Sequence, residues 1–117
     1  NTIKLAALAN SCGGWLVYRD TVYEAIPASG YTCSYTFNGL SGDTIDIRLV
    51  KRTNTLDPYL ELYDPYGTLI AYDDDGGGNS NSWIRSQSLS DTGTYTIVAS
   101  GYNLASSGQF MLTLTQD

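Results

Sequence analysis

Apolar residues recur at every second position through most of this chain, and no stretch sustains the three-and-four spacing of a helix. Val22, Glu24 and Ile26 alternate with Thr21, Tyr23 and Ala25 until Pro27-Ala28-Ser29-Gly30 turns the chain. Cys33, Tyr35 and Phe37 share one face of the next strand, with Ser34 and Thr36 on the other. Ile45, Ile47 and Leu49 against Thr44, Asp46 and Arg48 give the clearest alternation, and Lys51-Arg52 carry that strand to the surface. Leu60 and Leu62 alternate with Tyr59, Glu61 and Tyr63, Asp64-Pro65-Tyr66-Gly67 turns, and Thr68 to Tyr72 runs back as the second arm of a hairpin. Trp83 to Leu89 is a further strand, Tyr95, Ile97 and Ala99 mark the inward face of another, and Phe110, Leu112 and Leu114 close the chain.

About eight short strands with turn signals every 8–12 residues predict an all-β fold, an antiparallel β-sandwich. An immunoglobulin-type domain would carry its two cysteines on facing strands with a tryptophan between. Here Cys12 and Cys33 are both early and Trp15 follows the first almost directly, which favours a jelly roll. Residues 1–20 read as an N-terminal arm tethered by Cys12, with one possible leading strand, and residues 21–117 as the sandwich. Within the arm, Trp15 to Tyr18 is an apolar run that fits a short strand or an inserted anchor.

A chain of 117 residues makes one domain with a real core. With 42% hydrophobic and only 15% charged residues, its polar surface rests on Ser, Thr, Asn and Tyr, the profile of a secreted β-protein. The formal charge of -6 argues against nucleic acid and anionic membrane as partners and favours cations. No run reaches the roughly 20 apolar residues of a membrane span. Asn1 begins without an initiator Met or a signal-like segment, so the chain is expected to be a mature or excised piece of a longer product. Outside the cell, Cys12 and Cys33 would most simply pair, closing a loop of roughly 20 residues for about 3 kcal/mol; two free core thiols are the alternative.

Four stretches, in their order, resemble the bacterial pre-peptidase C-terminal domain. They are Tyr35-Thr36-Phe37 with Gly42-Asp43-Thr44-Ile45; Leu56 to Asp64; Gly67 with Asp73-Asp74-Asp75-Gly76-Gly77; and Gly93-Thr94-Tyr95 with Gly108-Gln109-Phe110. The resemblance spans roughly residues 21–115. It implies a secreted jelly-roll module that accompanies peptidases and other exported enzymes without being catalytic, with the parent enzyme as partner. Some relatives bind calcium, and the collagen-binding modules of clostridial collagenases are similar in fold. Residues 1–20 have no acidic cluster like the one that supplies calcium ligands in those collagen binders, so that linker site is not carried over.

The candidate chemistry sits around the hairpin. Antiparallel pairing would bring Asp57, at the outer end of the first arm, to Asp73, Asp74 and Asp75 after the second. Carboxylates gathered this way repel unless they are well solvated or a cation lies among them. Asp57, Asp73, Asp75 and Asn79, with Asp74 in reserve, are the expected calcium ligands, helped by carbonyls of Gly76-Gly77-Gly78. An EF-hand is excluded, because its twelfth position here is Ile84 and no helices flank the loop. A solvated acidic loop is the plain alternative. Among ten Tyr and two Trp, a row of Tyr59, Tyr66 and Trp83 is a candidate surface for polysaccharide or collagen-like matrix, unless the rings merely line a sheet. Without His there is no Ser-His-Asp or Cys-His arrangement, and the clustered aspartates resemble ligands more than a separated acid and nucleophile.

Overall fold

The computed structural model describes residues 12–117, and the leading strand considered for the first residues lies outside them. Nine strands follow in order: β1 (Gly14–Trp15), β2 (Thr21–Ile26), β3 (Thr32–Gly39), β4 (Thr44–Lys51), β5 (Pro58–Tyr63), β6 (Leu69–Asp73), β7 (Ser82–Ser88), β8 (Gly93–Gly101) and β9 (Gly108–Gln116). Among the described residues, one 3-10 turn, Tyr102–Leu104, lies between β8 and β9. The five-stranded sheet runs β1-β3-β8-β5-β6 and the four-stranded sheet β2-β9-β4-β7. From β2 onward the chain crosses between the two sheets at every connection except the β5–β6 hairpin, so the expected jelly roll is the observed topology.

Alternation drives the layering. Cys33, Tyr35 and Phe37 of β3, Ile45, Ile47 and Leu49 of β4, Leu60 and Leu62 of β5, Tyr95, Ile97 and Ala99 of β8, and Phe110, Leu112 and Leu114 of β9 all point inward and are buried. Phe37 and Tyr95 stack at 5.5 Å between centroids, and Tyr18 tilts against Phe37 at 6.0 Å. Burial of these side chains, worth about 1.5–3 kcal/mol each, is what offsets the entropy of ordering the strands.

Within the N-terminal segment, residues 14–16 pack on the sandwich. β1 pairs in parallel with β3, Gly14 opposite Tyr35 and Trp15 opposite Thr36, and Leu16 enters the core. The Cys12–Cys33 disulfide is present, with Cα atoms 5.3 Å apart. Beside it the Glu24 carboxylate accepts the Tyr35 hydroxyl and, at 3.0 Å, the Gly13 N–H. Burial, then the neighbouring Glu24, pushes the Tyr35 phenol well above its usual range, so it remains a donor.

Candidate metal centre

The β5–β6 hairpin is antiparallel as its alternation predicts, with Leu60 opposite Asp73, Glu61 opposite Tyr72 and Leu62 opposite Ala71. At its open end Asp57, Asp74 and Asp75 each offer a carboxylate oxygen, all within 4.8 Å of one another. Two oxygens bound to one calcium at about 2.3–2.6 Å lie at most about 5 Å apart, so the three converge on a distance one ion can span.

Neighbouring loops hold the cluster in place. The buried Ser82 Oγ lies 2.8 Å from the Pro58 carbonyl and 2.7 Å from the Asp74 carbonyl, a single hydroxyl joining the two acid-bearing segments. The Asp57 N–H donates to Ser106 Oγ at 3.0 Å, and its carbonyl accepts the Tyr102 N–H at 2.8 Å. Gly101 permits that approach, because a Cβ there would run into the carbonyl and hydroxyl oxygens of Ser106. Every one of these bonds uses a backbone group of Asp57, Pro58 or Asp74 and leaves the carboxylates free.

Among the described residues, the fully buried side-chain oxygens with no hydrogen-bond partner are Asp57 Oδ1 and Asp74 Oδ1. An unpartnered buried carboxylate oxygen is costly. Burial raises the Asp74 carboxyl above its usual 3.8, and the charges of Asp75, Asp57 and Asp73 raise it further. A divalent cation would remove both penalties at once. All three donors are hard oxygens, and with no His in the chain and both described cysteines in the disulfide, the set suits calcium better than zinc or copper.

Other expected ligands take different places. Asp73 stands outside the converging group: its Oδ2 accepts the N–H of Gly76 and of Trp83, both at 2.8 Å, and so joins the loop to β7. Strand alternation explains the exchange with Asp74. Tyr72 faces outward opposite Glu61, so Asp73 shares the inward side with its partner Leu60. A Cβ on Gly76 would lie 2.7 Å from the Asp73 carboxylate, which accounts for the glycine. Asn79 is exposed at the tip of a mirror-image tight turn, with φ of 53° there and 67° at Ser80, closed by the Asn81 N–H on the Gly78 carbonyl at 2.8 Å. Two of the three glycine carbonyls expected to aim at the metal are engaged elsewhere, that of Gly78 in this turn and that of Gly76 by Arg85 at 2.5 Å.

The three candidate aromatics do not form one platform. Tyr59 lies on β5 of the five-stranded sheet, Tyr66 is exposed in the turn at the far end of the hairpin, and Trp83 lies on β7 of the other sheet. The Trp83 ring carries the Arg48 guanidinium at 3.7 Å and that of Arg85 at 3.9 Å, while its Nε1 donates to Asp46 at 3.0 Å. Tyr59 instead clusters with Tyr72 at 6.3 Å and, edge to face, with Tyr102 at 5.8 Å.

The model of the bacterial pre-peptidase C-terminal domain matches residues 31–101, more than half of the 117. The chain belongs to this family. Its members are non-catalytic accessory domains of secreted peptidases. The matched segment includes the hairpin and all three converging aspartates. Among solved structures, the pre-peptidase C-terminal domain of the Bacillus anthracis collagenase superposes with a TM-score of 0.68 at 18% identity, over 90% of this chain and 96% of that one. The Aeromonas hydrophila periplasmic inhibitor of g-type lysozyme gives 0.66 at 11% identity, over 92% and 98%. A surface-associated copper-binding protein of Methylomicrobium album gives 0.69 at 10% identity, over 92% and 99%. At these identities the likeness is one of fold. No curated protein matches the chain.

Proposed function

We propose that this pre-peptidase C-terminal domain is a non-catalytic accessory module of an exported enzyme, most simply a peptidase, working outside the cytoplasm and made rigid by calcium bound at Asp57, Asp74 and Asp75. One observation carries the metal reading: two buried carboxylate oxygens, on Asp57 and Asp74, point without partners into a cluster of like charge. The ion would join the start of β5 to the loop after β6, fixing the open end of the hairpin and the edge where β6 meets β7. The Cys12–Cys33 disulfide and the cysteine usage of secreted folds support an oxidising compartment.

Calorimetric titration of calcium into chelator-treated protein tests this reading. One binding event is expected, with a melting temperature that climbs with free calcium by mass action. Asp74→Asn should abolish the heat without disturbing the fold. Absence of heat together with an unchanged melting temperature would leave a sandwich with a solvated acidic loop.

A further inference from the structure

The outer surfaces of the two sheets treat their aromatic rings differently. On the four-stranded sheet the chain supplies its own cations: Arg48 and Arg85 lie over Trp83, and Arg52 lies 4.9 Å from the centroid of Tyr23. On the five-stranded sheet no strand contains a Lys or Arg, and neither does any residue from 53 to 84 or from 86 to 117. Yet this surface holds the Tyr59, Tyr72 and Tyr102 cluster, with Tyr72 65% and Tyr102 43% exposed. Glu61, directly opposite Tyr72 and between Tyr59 and Tyr63 on β5, adds a carboxylate to the same surface.

We propose that this surface takes the side chain of an arginine from a protein partner, the guanidinium stacking on the rings of Tyr72 and Tyr102 while Glu61 accepts its N–H groups. Charge complementarity selects the occupant. The rings offer negative faces, Glu61 beside them adds a carboxylate, and among the described residues no strand of this sheet carries a Lys or Arg. Arginine suits the geometry better than lysine, because a planar guanidinium stacks on one ring and donates in its own plane to a carboxylate. The site adjoins the metal centre through the Tyr102 N–H on the Asp57 carbonyl, and it needs no metal.

Nuclear magnetic resonance titration in chelator tests it, using as probe an acetylated, amidated pentapeptide with two arginines between glycines. Saturable shifts are expected at Tyr59, Glu61, Tyr72 and Tyr102, fading in high salt as an exposed charge contact should. Tyr72→Ser and Glu61→Gln should each weaken binding by about three- to fivefold, with amide spectra otherwise unchanged. The same peptide with citrulline in place of arginine should bind at least about threefold more weakly, since it keeps the shape and loses the charge. Equal binding of the citrulline peptide, or shifts confined to Trp83 and Arg48, would overturn the proposal. So would self-association without peptide that Arg85→Ala abolishes, because the occupant would then be a second copy. Because chelator is present throughout, failure here leaves the calcium reading untouched, and absence of calcium heat leaves this one untouched.

Discussion

Two part-buried acidic sites, at different places in the sandwich, are completed in different ways. Beside the disulfide, the Glu24 carboxylate receives the Tyr35 hydroxyl and the Gly13 N–H. Asp43 is similarly supplied, by the Tyr18 hydroxyl at 2.6 Å, the Leu40 N–H at 3.1 Å and the Gln116 amide at 3.0 Å. Around Asp57 and Asp74 the same chain places Ser82, Ser106 and Tyr102 within reach and directs all of them to backbone groups. Asp57 Oδ1 and Asp74 Oδ1 are left without a hydrogen-bond partner. A fold that satisfies acids wherever they are structural, and leaves a cluster of them unsatisfied in one place, has the form of a site completed by something added.

The largest effect is expected at the completed site. Replacing both Cys12 and Cys33 by Ala removes a cross-link between residues 21 apart in sequence and frees the strand that brings the Gly13 N–H to Glu24. Loss of about 3 kcal/mol, on the order of 10 °C in melting temperature, should follow, and reduction of the wild type should reproduce it. Calcium heat should survive in that variant. Its loss would show that the two sites are coupled rather than separate.

Next in size is the metal itself. At free calcium about a hundredfold above the dissociation constant, bound ion should add about 2.7 kcal/mol to wild type and nothing to Asp57→Asn or Asp74→Asn. In chelator the order should reverse, each Asn variant matching or exceeding wild type because one repelling charge has gone. Tyr35→Phe supplies the opposite case. It strips a donor from an acid that has no cation to replace it, and should cost about 1–3 kcal/mol in calcium and in chelator alike. Thermal melts of the three variants under both conditions decide between these signs.

Most of the sandwich was legible along the chain because period-two alternation is a local property. Ile45, Ile47 and Leu49, or Cys33, Tyr35 and Phe37, declare their face within a few residues. β1 was only partly legible: the run from Trp15 fits a short strand or an anchor, but two residues have no period and the parallel partner lies about twenty residues on. At the metal centre, hairpin pairing was enough to bring Asp57 to the run of aspartates. Choosing between Asp73 and Asp74 required parity, and the signal was available: Tyr72 opposite Glu61 puts Asp73 on the inward side. Ser82, Ser106 and Tyr102 carried no signal, because a buried hydroxyl or an edge-to-face ring is defined by a neighbour from another loop. The expected row of Tyr59, Tyr66 and Trp83 failed for a related reason. Trp83 follows the acidic loop in sequence but begins a strand of the other sheet, where arginines two positions along and across the strand pair cover it.

The smallest effect distinguishes the metal-free from the metal-bound cluster by sign alone. In chelator, the Asp74 carboxyl is raised above 3.8 in the folded protein, first by burial and then by Asp75, Asp57 and Asp73. The folded state therefore holds this proton at pH values where the unfolded chain has released it. Stability owed to Asp74 is then greatest at low pH and falls as pH rises through the raised value. The change should stay below about 1 kcal/mol, since Asp74 is only half-buried and Asp75 is open to solvent screening. With calcium bound the carboxylates must be ionised, so acid should displace the metal and the slope should invert, stability now rising with pH over the same window. Denaturant melts between pH 4 and about 7, in chelator and in calcium, with Asp74→Asn as reference, give both slopes. A slope of the same sign under the two conditions would mean that no ion ever reached Asp74, and the bare carboxylates would need a partner of another kind.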